Sequence, residues 1–498
     1  MRSRFANVRR TLRFAATLGV VCVAAGQVSA ATLTPILNFG GGDGWRAPFE
    51  VIAGDVEGTT APHPTTAEPI YRFLGNGLAA GVDPASSVNA GNLERGMAYN
   101  PASGNLLVVS RNAANGGNIR ILNGTTGADI GSLNQTGVTG GNFTMNMIGV
   151  ADDGAIYLSN LSTNLTSSAY KIYRWENEQA VPTVVYNSTG SDVLAGARLG
   201  DSFDVFGSGA NTQMVAGYGL AAAITGTNGF VKFATTDGLS YTSSNVAIAP
   251  AVDPLVTPAS GEFQYGITFQ DSDTIIGKSR ANPATVVDLS GTTGTVVSQQ
   301  STDGISMRLL DFAVVDGKPL LATLEANGSP TATSRPRVMI YDMSDPSLPL
   351  VERKIAEATA LPAALGPNGN ASGQIKFGAI NGKTATLFAM STNNGIQAFT
   401  LSLETPVVDD ADFNGDGVVD GADFLTWQTG FGLSGQTDKS TGDADGDGNV
   451  NDADLAIWTT QFGTSTTPPA TVSAVPEPAT LALAAMGVAG LAAWRRRK

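Results

Sequence analysis

The sequence contains almost no cysteine and almost no histidine. Of its 498 residues one is Cys22 and one is His63. Cys22 lies in an apolar segment near the N-terminus, so the body has no disulfide and no thiolate nucleophile. A single histidine, in the turn-like stretch 61–64, excludes His-rich zinc sites and argues against catalysis by a histidine base.

Charged residues are also few, at 14%, and the cations are unevenly placed. Five arginines lie in the first 13 residues, and Arg495, Arg496, Arg497 and Lys498 end the chain. The formal net charge is −14 in spite of these two basic ends. We therefore expect the body to repel nucleic acid and to attract divalent cations.

Glycine is abundant, at 60 residues, while apolar residues make up 42% of the chain. This composition is typical of short strands joined by tight turns. The middle of the chain, residues 68–404, contains paired apolar runs separated by turns such as Asp153-Gly154 and Asp316-Gly317. Each pair predicts two adjacent antiparallel strands. The clearest pairs are Asn105–Ser110 with Asn118–Leu122, Ala155–Ser159 with Lys171–Trp175, Gly317–Leu324 with Arg337–Tyr341, and Thr384–Met390 with Ile396–Leu401.

Strand groups of this kind recur every 45–65 residues or so, which favours a β-propeller with irregular blades. We count six blades, with five or seven left open, and a pair of β-sandwiches or a β-solenoid as alternatives. Residues Pro69–Leu74 are the candidate strand that closes the ring. The stretch Tyr99–Leu106 resembles the turn and strand of many extracellular propellers, which implies a fold type and no activity. The blades are expected to begin near Gly96, Ile148, Ser202, Gly266, Leu310 and Gly378.

No residue of this middle region is identified as catalytic. Gly200-Asp201-Ser202 resembles the nucleophile block of GDS-type hydrolases, but that site needs a downstream histidine, and none follows His63. The carboxylates Asp201, Asp204 and Glu262 are candidates for a glycosidase pair, although no motif singles them out. The sequence favours a protein without catalytic activity and leaves the question of an enzyme open.

Two segments near the C-terminus, 31 residues apart, carry the spacing of calcium ligands. Oxygen-bearing side chains occupy loop positions 1, 3, 5, 9 and 12, and Gly417 and Gly448 occupy position 6, where the chain must turn sharply. Position 7 contributes a backbone carbonyl. The apolar position 8, Val419 and Val450, is expected to pair the two loops as a short β-bridge. The predicted ligands of two Ca²⁺ ions are Asp412, Asn414, Asp416, Val418, Asp420 and Asp423 in the first loop, and Asp443, Asp445, Asp447, Asn449, Asn451 and Asp454 in the second.

A helix-like stretch follows each loop and none precedes it. Apolar residues at i, i+3 and i+7 form one helical face, which we expect to be the core of a small α-rich domain. Gly432 and Gly463 follow as C-terminal caps. The face consists of Phe424, Trp427 and Phe431 in the first stretch and Leu455, Trp458 and Phe462 in the second.

This duplicated loop–helix pattern resembles a type I dockerin over residues 411–464. The resemblance implies calcium binding and docking to a cohesin-type partner. Cellulosomal dockerins commonly carry hydroxyl residues at loop positions 10 and 11, whereas this chain has Gly421-Ala422 and Asp452-Ala453.

Both ends of the chain carry targeting signals. Residues 1–30 combine a basic start, an apolar run and the small-residue pattern Val28-Ser29-Ala30 of a cleaved secretory signal peptide. The far end has Pro476-Glu477-Pro478, an apolar helix over Ala479–Trp494 and a basic tail. It resembles the PEP-CTERM sorting signal, which implies a bacterial source, an exosortase-type processing protease, and membrane contact only through this helix before processing.

The sequence therefore predicts an exported protein, at the cell envelope or outside the cell. We expect a non-catalytic propeller that contacts an extracellular glycan or a protein, attached through its calcium module. The alternative is a polysaccharide-degrading component docked through the dockerin-like domain. The predicted segments are signal peptide 1–30, N-terminal extension 31–67, β-propeller 68–404, linker 405–410, dockerin-like domain 411–464, linker 465–474 and sorting signal 475–498.

Overall fold

The computed structural model describes two compact units, divided between Glu404 and Thr405. The described residues are 31–36, 38–39, 45–46, 93–111, 118–188, 195–219, 229–249, 263–278, 284–300, 307–325, 336–359, 368, 370, 372–392, 395–404, 409–436 and 438–464.

Among the described residues, the first unit contains strands and the second contains two α-helices. The strands are β1 (Thr32–Pro35), β2 (Trp45–Arg46), β3 (Glu94–Asn100), β4 (Asn105–Ser110), β5 (Asn118–Asn123), β6 (Asp129–Ser132), β7 (Phe143–Val150), β8 (Ile156–Leu161), β9 (Lys171–Trp175), β10 (Thr183–Asn187), β11 (Arg198–Leu199), β12 (Asp204–Phe206), β13 (Gln213–Gly219), β14 (Gly229–Ala234), β15 (Thr242–Ala249), β16 (Gly266–Phe269), β17 (Thr274–Lys278), β18 (Ala284–Ser290), β19 (Thr293–Gln300), β20 (Met307–Val315), β21 (Lys318–Glu325), β22 (Arg337–Asp342), β23 (Lys354–Thr359), β24 (Gly373–Asn381), β25 (Thr384–Ser391) and β26 (Gly395–Ser402). The helices are α1 (Gly421–Gly430) and α2 (Asp452–Gln461).

The strands form antiparallel sheets in which neighbours in the chain are neighbours in space. Strands β3–β6, β7–β10 and β20–β23 each make a four-stranded sheet. Strands β24–β26 join β1 and β2 in a five-stranded sheet. In the nine-stranded sheet, β11–β15 and β16–β19 form two antiparallel groups linked by the parallel pair β15 and β19.

The sheets are arranged as in a propeller. One strand of each group contacts the next in the order β3, β7, β12, β16, β20 and β24, and β24 contacts β3; each is the first strand of its group except β12, which follows the two-residue β11. A closed ring of first strands, each followed by its antiparallel partners, is the arrangement of propeller blades. The unit is therefore mainly β with a propeller-like arrangement.

All four predicted strand pairs are confirmed. They are the antiparallel pairs β4 with β5, β8 with β9, β21 with β22, and β25 with β26. The turn Asp316-Gly317 joins β20 to β21 with φ of 50° and 74°, the positive values that a tight two-residue hairpin turn requires. Local alternation and turn chemistry were sufficient to find these hairpins. Five predicted blade starts lie within the first strands of groups, and Ser202 lies two residues before β12.

The sheet of β24–β26 gains a strand from near the N-terminus. Thr32–Pro35 pairs antiparallel with β26, with Thr32 opposite Ser402 and Pro35 opposite Phe399. Within the predicted extension 31–67, Thr32–Pro35 and Trp45–Arg46 therefore each contribute a strand to the sheet. Pro69–Leu74, the expected closing strand, lies outside the described residues, as do Cys22, His63, the signal peptide and the C-terminal apolar helix. Among the described helices none has the length and hydropathy needed to cross a membrane.

Apolar side chains fill the space between neighbouring sheets. Between the second and third strand groups the buried cluster contains Tyr157, Tyr170, Phe203, Tyr218 and Phe233. Each of these is no more than 1% exposed. Burial of one aromatic side chain contributes roughly 1.5–3 kcal/mol, so such clusters are the main term that holds adjacent sheets together.

Gly96 allows β3 and β7 to approach closely in the ring. A Cβ at this position would lie 2.6 Å from the backbone nitrogen of Ile148 and 2.8 Å from the Cα of Met147. We expect Gly96→Ala to lower the free energy of unfolding by about 1–3 kcal/mol, because backbone must move to admit the methyl group. Urea unfolding of the variant measures this loss, and an unchanged midpoint would contradict it.

The second unit consists of two loops, each followed by a helix of ten residues. Both helices begin with a capping box, formed by Asp420 with Asp423 in α1 and by Asn451 with Asp454 in α2. In each box two otherwise unpaired N–H groups at the helix start find side-chain acceptors, which fixes where the helix begins. Gly432 and Gly463 follow the helices with φ of 88° and 81°, which confirms the predicted C-terminal caps.

Candidate functional site

The first loop already wraps around the carboxylate at its first position. Asp412 is buried, and its two oxygens accept hydrogen bonds from the backbone N–H of Asp416 at 3.1 Å and of Gly417 at 3.0 Å. Asn414 accepts from the same Asp416 N–H at 2.9 Å. The bonds bend the loop at Gly417, whose φ is 88°. The chain therefore turns at the position where the sequence predicts that it must.

In the second loop, three carboxylates converge. Asp443, Asp445 and Asp447 each bring one oxygen to within 4.8 Å of the others. Asp443 Oδ2 accepts the Gly448 N–H at 3.0 Å, while Asp443 Oδ1 is buried without a hydrogen-bond partner. Burial raises the pKa of Asp443, and the nearby carboxylates Asp454 and Asp445 add to that rise. Like charges this close, with a buried acceptor left unpaired, are relieved when a cation sits among them.

The carboxylates at position 12 hold the loops to the helices. Asp423 and Asp454 are fully buried. Asp423 accepts from the N–H groups of Asn414 and Asp420, and Asp454 from those of Ala444, Asp445 and Asn451, at 2.7–3.2 Å. These bonds place each position-12 carboxylate beside the first half of its own loop.

The expected β-bridge between Val419 and Val450 is wrong. Both valines are buried at 1% exposure, as the pattern predicts. Val450 exchanges backbone hydrogen bonds with Leu433 and Gly432, and Val419 with Thr464 and Gly463. Each loop thus pairs with the segment that follows the helix of the other repeat, and no backbone group of either valine remains for the other.

The two repeats also exchange tryptophan contacts. The indole N–H of Trp427 donates to the carbonyl of Asn451, and that of Trp458 donates to the carbonyl of Asp420, both at 2.9 Å. The acceptors are position 9 of the opposite loops. A backbone shift in one loop is therefore expected to displace the helix of the other repeat through this hydrogen bond.

The predicted aromatic core is only partly right. Trp427 is buried in the core cluster, and Phe424, Leu455 and Trp458 pack against it. Phe431 and Phe462 are more than half exposed. The helices end at Gly430 and Gln461, so the chain has left the helical path before it reaches these two phenylalanines.

The assignment of the ligand residues remains a prediction, and the oxygen atoms that they offer are of the kind that calcium binds. Carboxylate, amide and backbone carbonyl oxygens are the hard donors that Ca²⁺ takes. The unpaired buried Oδ1 of Asp443 is the structural observation that favours a cation in the second loop. In the first loop the Asn414 amide nitrogen donates to Asp416 Oδ2 at 3.1 Å, so two of the predicted ligand side chains are bonded to each other. The positions concerned are Asp412, Asn414, Asp416, Val418, Asp420, Asp423, Asp443, Asp445, Asp447, Asn449, Asn451 and Asp454.

A cavity in the propeller-like unit was not foreseen from the sequence. Its volume is about 470 Å³, and it lies at the starts of the first strands around the ring. The lining residues are Leu93, Arg95, Arg111, Phe143, Asn146, Met147, Arg198, Asp201, Tyr265, Leu309, Asn370, Ser372 and Gly373. Cations are scarce in this chain, so three arginines in one cavity are notable. The three arginines are separated by 16 and 87 residues, so no local motif in the sequence marks them as a group.

The carboxylates considered for catalysis are held in ion pairs where the structure describes them. Asp201 pairs with Arg198, whose Nη2 lies 2.6 Å from Oδ1, and it also accepts from the Gln264 amide at 2.9 Å. Asp204 is buried and lies 2.9 Å from Lys376 Nζ. Glu262 lies outside the described residues. Asp201 and Asp204 are therefore both held in ion pairs.

Three family models match the chain. A domain of unknown function (DUF4623) matches residues 63–347, the dockerin type I domain matches residues 410–462, and the PEP-CTERM protein-sorting motif matches residues 474–498. No curated protein matches the chain.

Solved structures with some similarity to the chain have TM-scores below 0.5. A DUF4623 family protein from Bacteroides eggerthii is 20% identical, with a TM-score of 0.49, over 66% of this chain and 73% of that one. A calcium-binding protein, regucalcin, from Agrobacterium tumefaciens is 14% identical, with a TM-score of 0.36, over 63% and 91%. A gluconolactonase from Xanthomonas campestris is 12% identical, with a TM-score of 0.34, over 62% and 86%.

The dockerin and sorting matches confirm both resemblances seen in the sequence. The sorting motif indicates export and sorting to the cell surface, the dockerin type I domain is a calcium-binding module, and together they imply exosortase processing and a cohesin-type partner. The DUF4623 match extends over more than half of the chain. The chain therefore belongs to the DUF4623 family, and it carries a type I dockerin domain and a PEP-CTERM sorting motif.

Proposed function

We propose that this protein is an exported, non-catalytic surface protein that is attached to a partner through its dockerin domain when calcium is bound. In this proposal the propeller-like body carries the binding face for an extracellular glycan or a protein. The helix of the sorting motif anchors the chain in the inner membrane until an exosortase-type protease acts. The observation that carries the attachment step is the convergence of Asp443, Asp445 and Asp447 around an unpaired buried oxygen.

We propose two Ca²⁺ ions, one in each loop. The second loop has the acidic cluster and the unpaired oxygen. The first loop repeats its turn and its cap: Gly417 has a positive φ like Gly448, and Asp423 is buried on backbone N–H groups like Asp454. Because each helix reaches the opposite loop through its tryptophan, ordering of one site is expected to assist the other.

We also propose six blades for the body. We divide the nine-stranded sheet between β15 and β19, its one parallel pair among the described strands. On either side of this division the strands form an antiparallel group, β11–β15 and β16–β19, and each group contributes one strand to the ring. The sheet of β24–β26 is completed by β1, so that the body spans residues from about 31 to 404. A ring closed by strands from both ends of the domain resists opening, because neither end can leave without breaking a sheet.

Calcium titration of the purified chain tests the proposal. We expect calorimetry to give two bound ions per chain, and helical circular dichroism to decrease when a chelator is added, because metal binding and folding are coupled in such loops. An immobilised cohesin-type protein is expected to retain the chain in calcium and to release it in chelator. Retention that persists in chelator would place the attachment surface elsewhere and contradict the proposal.

A further inference from the structure

The cavity at the centre of the ring holds more positive than negative charge. Among the described residues that line it, the ionised groups are the guanidinium groups of Arg95, Arg111 and Arg198 and the carboxylate of Asp201. Glu94, the buried neighbour of Arg95 in the chain, adds one negative charge, and the described residues still have an excess of cations. A local excess of this sign is unexpected in a chain whose net charge is −14.

Two of the arginines are held in place with little neutralisation. Arg95 is 9% exposed; its Nη1 donates to Ser372 Oγ, and its Nε has no hydrogen-bond partner. Arg111 lies with its guanidinium 4.0 Å from the centre of the Phe143 ring and donates to the Met145 carbonyl at 3.2 Å and to the Asn146 side chain. None of these three hydrogen bonds goes to a carboxylate. Arg198 differs, because Asp201 neutralises it.

The surroundings of Arg95 and Arg111 lower the pKa of both guanidinium groups. Burial, followed by repulsion from Arg95, lowers the pKa of Arg111 to about 8 in spite of the attraction of Asp201. Burial also lowers the pKa of Arg95, against the attraction of Glu94 and Asp201. Two like charges kept in a partly closed cavity are costly, and an anion placed between them removes part of that cost.

The size and lining of the cavity narrow the choice of anion. A volume of about 470 Å³ is that of a small-molecule site, and an inorganic ion would leave most of it unfilled. Phe143, Met147 and Leu309 give the wall an apolar part, which suits the carbon skeleton of an organic ligand. A planar guanidinium matches a planar carboxylate through two parallel hydrogen bonds.

We propose that this cavity binds a small organic acid of the size of a sugar acid, with Arg95 and Arg111 holding its carboxylate and Arg198–Asp201 shaping the wall. The inference names the ligand class of the propeller-like body, and in that respect it rests on the function proposed above. It does not depend on calcium or on the dockerin domain.

The test is a calorimetric titration of the purified chain in chelator with D-galacturonate, its methyl ester, galactose and inorganic phosphate. Galacturonate is expected to bind, and its ester and galactose to bind at least about tenfold more weakly, since each lacks the charge. Equal binding of acid and ester, tighter binding of phosphate than of galacturonate, or no binding of galacturonate would each overturn the proposal.

Two variants locate the site. Arg95→Gln is expected to weaken galacturonate binding at least about tenfold, while Arg337→Gln, which removes a half-exposed guanidinium on β22, is expected to leave it unchanged. Unchanged binding in Arg95→Gln would overturn the assignment. If Arg95→Gln does not fold, the comparison of galacturonate with its methyl ester on the unaltered chain still tests the proposal. A calcium titration of the same preparation reports the attachment module separately, so failure here and failure of attachment are distinguishable.

Discussion

Replacing Asp416 and Asp447 together by alanine is expected to abolish calcium binding and to leave the propeller-like body folded. Each residue is position 5 of its loop, and each accepts the N–H of the residue at position 7, Val418 at 2.9 Å and Asn449 at 2.7 Å. The change therefore removes a charged ligand and also loosens the turn that presents the position-7 carbonyl. Loss of a partner behind a metal ligand already costs 10–100-fold in affinity, so loss of one ligand from each loop should raise the Kd of each site by more than about 100-fold.

The matched control is the double variant Asp409→Ala with Asp452→Ala. Both residues are exposed aspartates of the same unit and lie outside the predicted ligand positions, so the control removes the same charge. Calorimetry with calcium measures binding, and the thermal transition of the first unit reports its folding. Full calcium binding by the Asp416→Ala, Asp447→Ala variant, or loss of binding by the control, would show that overall acidity and not the loop ligands attracts the ion.

The sequence alone predicted those parts of the candidate site that consist of contiguous residues. All predicted calcium ligands fall within two twelve-residue loops, and glycine marks the turn of each. For this reason the spacing alone predicted the bend at Gly417 and the burial of Val419. It did not predict the partner of Val419, because Gly463 and Thr464 approach it only after the two repeats have packed together.

The cavity shows the opposite case. Arg95 and its hydrogen-bond partner Ser372 are 277 residues apart, and no spacing rule brings two such residues together. The ring strand β1 was missed for a related reason: four residues that include Pro35 lack the alternation of a central strand. Proline is nevertheless tolerated there, because β1 is the edge strand of its sheet. Both features arise from closure of the ring, which no local segment encodes.

The second large effect is expected from Lys376→Met in the wall of the ring. Lys376 is buried on β24, with its Nζ 2.9 Å from Asp204 Oδ1 on β12 and 2.6 Å from Asp311 Oδ1 on β20. One ammonium group thus neutralises two buried carboxylates from two other strand groups. Further bonds hold the carboxylates, from Thr268 and Phe269 to Asp204 and from the Phe377 N–H to Asp311. Removing the lysine leaves both carboxylates buried together, which is expected to cost about 3–5 kcal/mol of the free energy of unfolding.

The pH dependence of this loss follows from the ionisation of Asp311. Burial raises the pKa of Asp311 to about 6, although Lys376 opposes that rise. A carboxyl group with a raised pKa in the folded state contributes stability below its unfolded pKa of 3.8, and the contribution is lost as the pH rises through about 6. Without Lys376 the folded pKa rises further, so the variant should be most destabilised at pH 7.5 and less so at pH 5. Calorimetric unfolding of the first unit at both pH values measures this, with Lys383→Met as the exposed control. An equal loss at the two pH values would mean that the methionine disturbs packing, and that the buried charges are not the cause.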